Sequence, residues 1–100
     1  MILAKELLKI CEGNGIFLFT GVPDSTLAGF PDVLAAEHGE DGYHVVAHNE
    51  GVAVALAGGH FLAVRKPALV YMQNSGLGNA VNPITSLTSP EVYDIPVIYL

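Results

Sequence analysis

Tyr71-Met72-Gln73-Asn74-Ser75-Gly76-Leu77-Gly78-Asn79-Ala80-Val81-Asn82-Pro83 is the stretch that decides the fold of this chain. An apolar, strand-like run (68 to 72) ends in a polar turn punctuated by glycine, and a helix-like run follows from about 78 to 87. Stretches that only fill a core do not place Gln, Asn, Ser and Asn in close order at a strand's end. Two other segments repeat the arrangement. Gly21-Val22-Pro23-Asp24-Ser25 follows an apolar run at 16 to 19, and Ala47-His48-Asn49-Glu50-Gly51 closes one at 43 to 47. Polar clusters that each follow a strand are the layout of a ligand site on an open α/β sheet.

The rest of the chain fits around these clusters. Ile2, Leu3, Leu7, Leu8, Ile10 and Cys11 recur at helical spacing, and Gly13 and Gly15 stop that helix. Asp24 or Ser25 can cap the turn after the first strand. Pro31 is welcome at a first helical position, which predicts a helix over about 31 to 37. Residues 50 to 64 predict a helix rich in Ala and Gly. Its adjacent Gly58 and Gly59 each cost about 1 kcal/mol relative to Ala, and close packing against another backbone or a cofactor would be the reason to keep them. Ser89-Pro90 turns the chain into Ile95-Pro96-Val97-Ile98-Tyr99-Leu100, which reads as a buried parallel strand, apolar on both faces.

Strands alternating with helices predict an α/β fold, an open parallel sheet with helices on both faces and right-handed crossovers. Residues 1 to 100 read as one unit. A bare apolar strand at the end predicts that the chain continues or that another chain covers this edge, so the domain is expected to be incomplete at its C-terminus.

Composition excludes several functions. The net charge is −6, and Lys5, Lys9, Arg65 and Lys66 are the only Lys and Arg; nucleic-acid binding needs clustered cations. No apolar stretch reaches the roughly 18 to 20 residues of a membrane span, and Lys5, Glu6 and Lys9 interrupt what would be a signal peptide's apolar core. The single cysteine, Cys11, reads as a buried structural thiol in a reducing cytoplasm. His44 and His48 share a strand face, yet no Cys or carboxylate completes a metal set. The turn at 76 to 81 is neither a Rossmann fingerprint nor a Walker loop, and Ser75 lacks a Gly-x-Ser-x-Gly frame.

Glu50 is the leading catalytic candidate. It falls in the first turn of the glycine-rich helix, where the helix dipole favours the charged form and burial opposes it. A carboxylate balanced in that way can donate or accept a proton near neutrality; the alternative is an ordinary acid at a helix N-terminus. Asp24 is either an N-cap or a second carboxylate at the same sheet end, with Ser25 as a further donor. The turn at 73 to 79 offers amide side chains and backbone N–H groups for a polar ligand.

Taken together, the three clusters resemble the N-terminal, pyrimidine-binding domain of thiamine-diphosphate-dependent decarboxylases. The residues that carry the resemblance are Gly21-Val22-Pro23-Asp24-Ser25, Asn49-Glu50-Gly51 and Val70-Tyr71-Met72-Gln73-Asn74-Ser75-Gly76-Leu77-Gly78-Asn79, extended by Asn82-Pro83 and Pro90-Glu91-Val92-Tyr93. The Pro-Asp-Ser and Pro-Glu-Val-Tyr segments are most similar to the branch that decarboxylates 3-phosphonopyruvate to phosphonoacetaldehyde. The sulfopyruvate branch, whose alpha subunit is a separate chain, shares the Met-Gln-Asn-Ser-Gly-Leu-Gly-Asn run and is the alternative. A non-catalytic remnant that keeps the fold to bind or dimerise is a third reading.

The resemblance implies that Glu50 hydrogen-bonds the aminopyrimidine ring nitrogen of thiamine diphosphate and thereby activates the thiazolium carbon. It implies Asp24 as a second catalytic, proton-handling residue. Pro23, Asn74, Gly76 and Asn79 would join Glu50 around the cofactor, and Asp24, Ser25, Gln73 and Asn74 would meet a small 2-oxo acid. The diphosphate and Mg²⁺ would be held by a domain absent from this chain, so a diphosphate-binding domain or subunit and a homo- or hetero-oligomer are implied. No cation lies in the three loops to receive a phosphonate dianion, and the isolated chain is expected to be inactive.

Overall fold

The apolar runs pair into one sheet. In the computed structural model, which describes residues 3 to 100, the strands are β1 (Phe19–Gly21), β2 (His44–Val46), β3 (Ala68–Tyr71) and β4 (Val97–Tyr99). All pairings are parallel, in the order β2-β1-β3-β4. Helix α1 (Ala4–Gly13) precedes the sheet, α2 (Phe30–His38) joins β1 to β2, α3 (Glu50–Val64) carries the chain across to β3, and α4 (Leu77–Pro83) leads towards β4. Ile2, read above as part of the first helix, lies outside the described residues.

Side-chain alternation along the strands sorts the core into two layers. On one face Phe19, Leu69 and Tyr71 pack with Leu8 and Cys11 of α1 and with Phe30 and Leu34 of α2. On the other, Ala68 and Val70 meet Ala53, Val54 and Ala57 of α3 and Ala80 of α4. β3 is buried throughout, as a parallel strand covered on both faces should be. The expected α/β sheet with helices on both faces is therefore the one found. Cys11 is buried, and burial raises its thiol pKa above the ordinary value.

The strand order matters for function. β1 feeds an element on one side of the sheet and β3 feeds one on the other, so the loops leaving their carboxyl ends diverge. The crevice between them is the topological switch point, where open α/β sheets bind ligands.

Four features differ from the sequence reading. The first strand pairs over Phe19–Gly21 rather than 16 to 19; Ile16 is apolar because it enters the core under α1, not because it is paired. The helix expected over 78 to 87 stops at Pro83 and gives way to a π turn, Ile84–Thr88, because proline has no N–H and its ring crowds the carbonyl four residues earlier. β4 begins only at Val97, after Pro96, and among the described residues it lies at the edge of the sheet, with Ile98 and Tyr99 38% and 41% exposed. Finally, an added Cβ at Gly59 would meet nothing within 4 Å, and one at Gly58 would make ordinary contacts with Leu87 and Ile95. The glycine that close packing demands in α3 is Gly51, where a Cβ would fall 2.7 Å from the Asn79 carbonyl oxygen.

One buried histidine ties the outer layer together. His38 stacks on Phe19 with ring centroids 5.9 Å apart. Its Nδ1 lies 2.7 Å from Asp41 Oδ2, and its Nε2 lies 3.3 Å from Glu12 Oε2, close enough for attraction but not aligned as a hydrogen bond. The Asp41 hydrogen bond, more than any other influence, raises the His38 pKa, and the same bond lowers that of Asp41. A histidine whose folded pKa is raised contributes stability that is complete below its unfolded pKa of about 6.5 and is lost as pH rises through the folded value. Burial depresses His44 and His60, which act with the opposite sign. The stability difference between wild type and His38→Gln should therefore shrink between pH 6 and pH 9 in urea unfolding. A difference independent of pH would show that His38 is not charged in the fold.

Candidate functional site

Glu50 opens α3 directly after the β2 edge. The preceding residue, Asn49, is in extended conformation and its side-chain oxygen accepts the Val52 N–H at 2.9 Å, capping the helix. The cap turns Glu50 inward, so that it is only 7% exposed. Its carboxylate reaches α4, where Asn79 Nδ2 donates to Oε2 at 2.9 Å. The other oxygen, Oε1, lies over Gly76: a Cβ there would sit 2.6 Å from Oε1 and 2.8 Å from Cδ. Glycine at 76 is thus what lets the carboxylate lie flat on the backbone of the 73 to 79 turn.

The structure brings Glu50, Gly76 and Asn79 into one contact group and gathers the remaining candidates into two cavities. Pro23, Asp24 and Ser25 line a cavity of about 390 Å³ with Gly29, Pro31 and Asp32. Gln73 and Asn74 line another of about 440 Å³, with Met72, Leu77, Ile84, Tyr99 and Leu100. Glu50 lines neither, so the candidate residues share the carboxyl edge of the sheet without facing a single hollow.

Asp24 caps a short 3₁₀ turn, Ser25–Leu27: its Oδ1 accepts the Thr26 N–H at 2.8 Å and the Thr26 hydroxyl at 2.6 Å. The hydroxyl bond, then the backbone bond, pulls its pKa below the usual carboxylate value. Both bonds are made to Oδ1, so Oδ2 stays open to a proton or a ligand. Asp32 adds a second carboxylate to the same cavity. The sequence reading missed it, although its place in the first turn of α2 puts it at the same sheet edge.

Beneath the site, Tyr71 is fully buried and burial pushes its pKa up to about 12. Its ring lies over Gly21, where a Cβ would come within 2.6 Å of Tyr71 Cδ2. The hydroxyl passes beyond β1 to His44 Nε2 on β2, 2.7 Å away. His44 thus pairs with a tyrosine, and His48 is exposed past the end of β2.

Does this edge suit a cofactor? Glu50 is a buried carboxylate that receives one side-chain donor among the described residues. Buried polar groups left short of partners are rare in finished folds. A ring bearing hydrogen-bonding nitrogens fits that deficit. Arg65 and Lys66 lie in the turn from α3 to β3, at the opposite edge, with Arg65 over Phe61 and Lys66 over Phe17.

A parallel sheet with a buried glutamate at its carboxyl edge has the layout of a ligand-binding α/β domain. The chain belongs to the family described as "Thiamine pyrophosphate enzyme, N-terminal TPP binding domain", whose model matches residues 1–100. Among characterised relatives, it is 33% identical over 97 residues to the sulfopyruvate decarboxylase subunit alpha of Methanococcus maripaludis, covering 97% of this chain and 55% of that one. It is 34% identical over 90 residues to the phosphonopyruvate decarboxylase of Streptomyces hygroscopicus, covering 90% of this chain and 22% of the relative. An X-ray structure described as that of a thiamin diphosphate-dependent enzyme from Mycobacterium smegmatis superposes with a TM-score of 0.66 at 28% identity, over 84% of this chain and 16% of that one. The chain thus spans about half the length of one relative and about a fifth of the other.

Proposed function

We propose that this chain is the pyrimidine-binding half of a thiamine-diphosphate-dependent 2-oxo acid decarboxylase acting on 3-phosphonopyruvate. The observation that carries the proposal is the Glu50 carboxylate, buried against Gly76 with a single side-chain donor from Asn79. Glu50 would hold the aminopyrimidine ring through a shared proton, with Pro23, Asn74 and Gly76 around it. When bound, the cofactor supplies the electron sink for cleavage of the bond between the carboxylate and the 2-oxo carbon. Asp24 would handle a proton near the substrate and help to bind it, with Ser25, Gln73 and Asn74. Mg²⁺ and the diphosphate would belong to a second domain or subunit.

The same partner would have to read the phosphonate, because the residues lining the two cavities include Asp24 and Asp32 but no Lys or Arg. Exposed Val52, Leu56 and Leu62 along α3 offer an apolar surface for such a partner. The lone buried thiol of Cys11 supports a cytoplasmic setting. The sulfopyruvate reading draws support from the larger share of that relative which this chain covers, 55% against 22% of the phosphonopyruvate enzyme, at comparable identity.

Product analysis separates the two. The full protein, given thiamine diphosphate, Mg²⁺ and each acid in turn, should yield phosphonoacetaldehyde faster than sulfoacetaldehyde, and the reverse order would transfer the assignment. Residues 1–100 alone should show no multiple turnover; turnover there would overturn the reading of a half-site.

A further inference from the structure

We infer that Asn79 is the positioning residue of Glu50, gripping the first turn of α3 at two points. This rests on the reading of Glu50 given above. The first point is the side chain, whose amide Nδ2 donates to Glu50 Oε2 at 2.9 Å. The second is the main chain: the Asn79 carbonyl oxygen packs on Gly51 so closely that a Cβ there would fall 2.7 Å away. That carbonyl is available because the residue four positions on is Pro83, which has no N–H to claim it in the usual helical bond. Gly51 in turn has no side chain to hold α4 off.

One residue of α4 therefore touches two consecutive residues of α3, and neither contact permits α4 to slide without disturbing the carboxylate. The amide takes up Oε2, while Oε1 rests over Gly76. A carboxylate free to rotate about its terminal bond would present either oxygen or neither. Fixing one oxygen selects the orientation before the ligand arrives, so no ordering remains for the reaction itself.

The test uses the full protein with its diphosphate-binding partner, comparing Asn79→Ala and Asn79→Leu with Glu50→Gln. Leucine keeps the approximate size of Asn79, cannot donate, and adds no charge beside Glu50. If the amide acts as a donor to a charged group, both Asn79 variants should lower kcat, and the exchange of the bound cofactor's thiazolium C2 hydrogen with D₂O, by roughly 10- to 100-fold. The substrate KM and the cofactor Kd, measured by calorimetry, should stay within about threefold. A filler role would spare Asn79→Leu, and that result overturns the inference. Loss of activity in Glu50→Gln with Asn79→Ala at wild-type kcat would sink the positioning role and leave the reading of Glu50 standing. Wild-type kcat in Glu50→Gln would instead remove that reading.

The cofactor-free protein supplies an independent readout. The shifts in unfolding midpoint of Asn79→Ala and Glu50→Ala should fail to add in the double variant, because each removes the same bond. Additive shifts would mean that the two side chains do not bond in solution, and the inference falls.

Discussion

Replacing Glu50 by Gln in the assembled holoenzyme is expected to lower kcat by roughly 10²- to 10⁴-fold, the range typical of a lost proton-handling group. The substitution is informative because the structure isolates its effect. Gln keeps the length and shape of Glu, and its carbonyl oxygen can still accept the Asn79 amide that now bonds Oε2. The close seat on Gly76 is unchanged in volume. No buried charge is left unpaired, so the fold should hold, and the thermal midpoint should match or exceed that of wild type. Steady-state kinetics beside a melting curve decide the matter. Full activity in a stably folded Glu50→Gln protein would reduce the residue to a helix-terminal acid and return the chain to the class of binding remnants.

Gly21→Ala is expected to be the most damaging single methyl in the fold. At this position in β1 the added carbon would press on the main-chain oxygen of Tyr71 and stand 2.6 Å and 2.8 Å from its Cδ2 and Cε2. The ring cannot swing aside cheaply. It packs edge-on against Phe30, at 6.4 Å between centroids, and its hydroxyl is held at 2.7 Å by His44. The backbone cannot shift either, since Gly21 and Tyr71 are partners in the central β1–β3 pairing. Overpacking typically costs 1 to 3 kcal/mol where side chains can adjust; with a backbone atom in the way, about 3 kcal/mol or more is expected in urea unfolding. A loss under about 0.5 kcal/mol, the scale of an ordinary surface change, would mean that β1 and β3 are farther apart at this end than described.

These two residues also mark what a sequence can and cannot disclose. The parallel sheet was legible because apolar runs alternate with helical spacing, and the carboxyl edge because each polar cluster follows such a run. Glu50 stood out for its place at a helix start. Its bond to Asn79 did not, since the two lie in different helices and only the packing of α3 on α4 brings them together. Gly21 could be seen as part of a turn, but not as the gap through which a tyrosine of β3 reaches a histidine of β2. Asp32 was passed over because a single aspartate in a helix's first turn reads as an ordinary helix-start acid, with nothing to mark the cavity it shares with Asp24. The first strand was placed too early because burial and pairing leave the same apolar signature.

The distribution of charge along the sheet axis has a consequence for the order of events. Asp24, Asp32 and Glu50 stand at the carboxyl edge, while Arg65 and Lys66 occupy the turn at the amino edge. At physiological salt such fields reach about 8 Å, enough to cover the mouth of a crevice. A multiply charged anion drifting towards the uncombined half meets repulsion, whereas a basic protein surface meets attraction. On the proposed reading, assembly comes before capture: the half-site turns its own substrate away until the partner arrives with the charge that admits it.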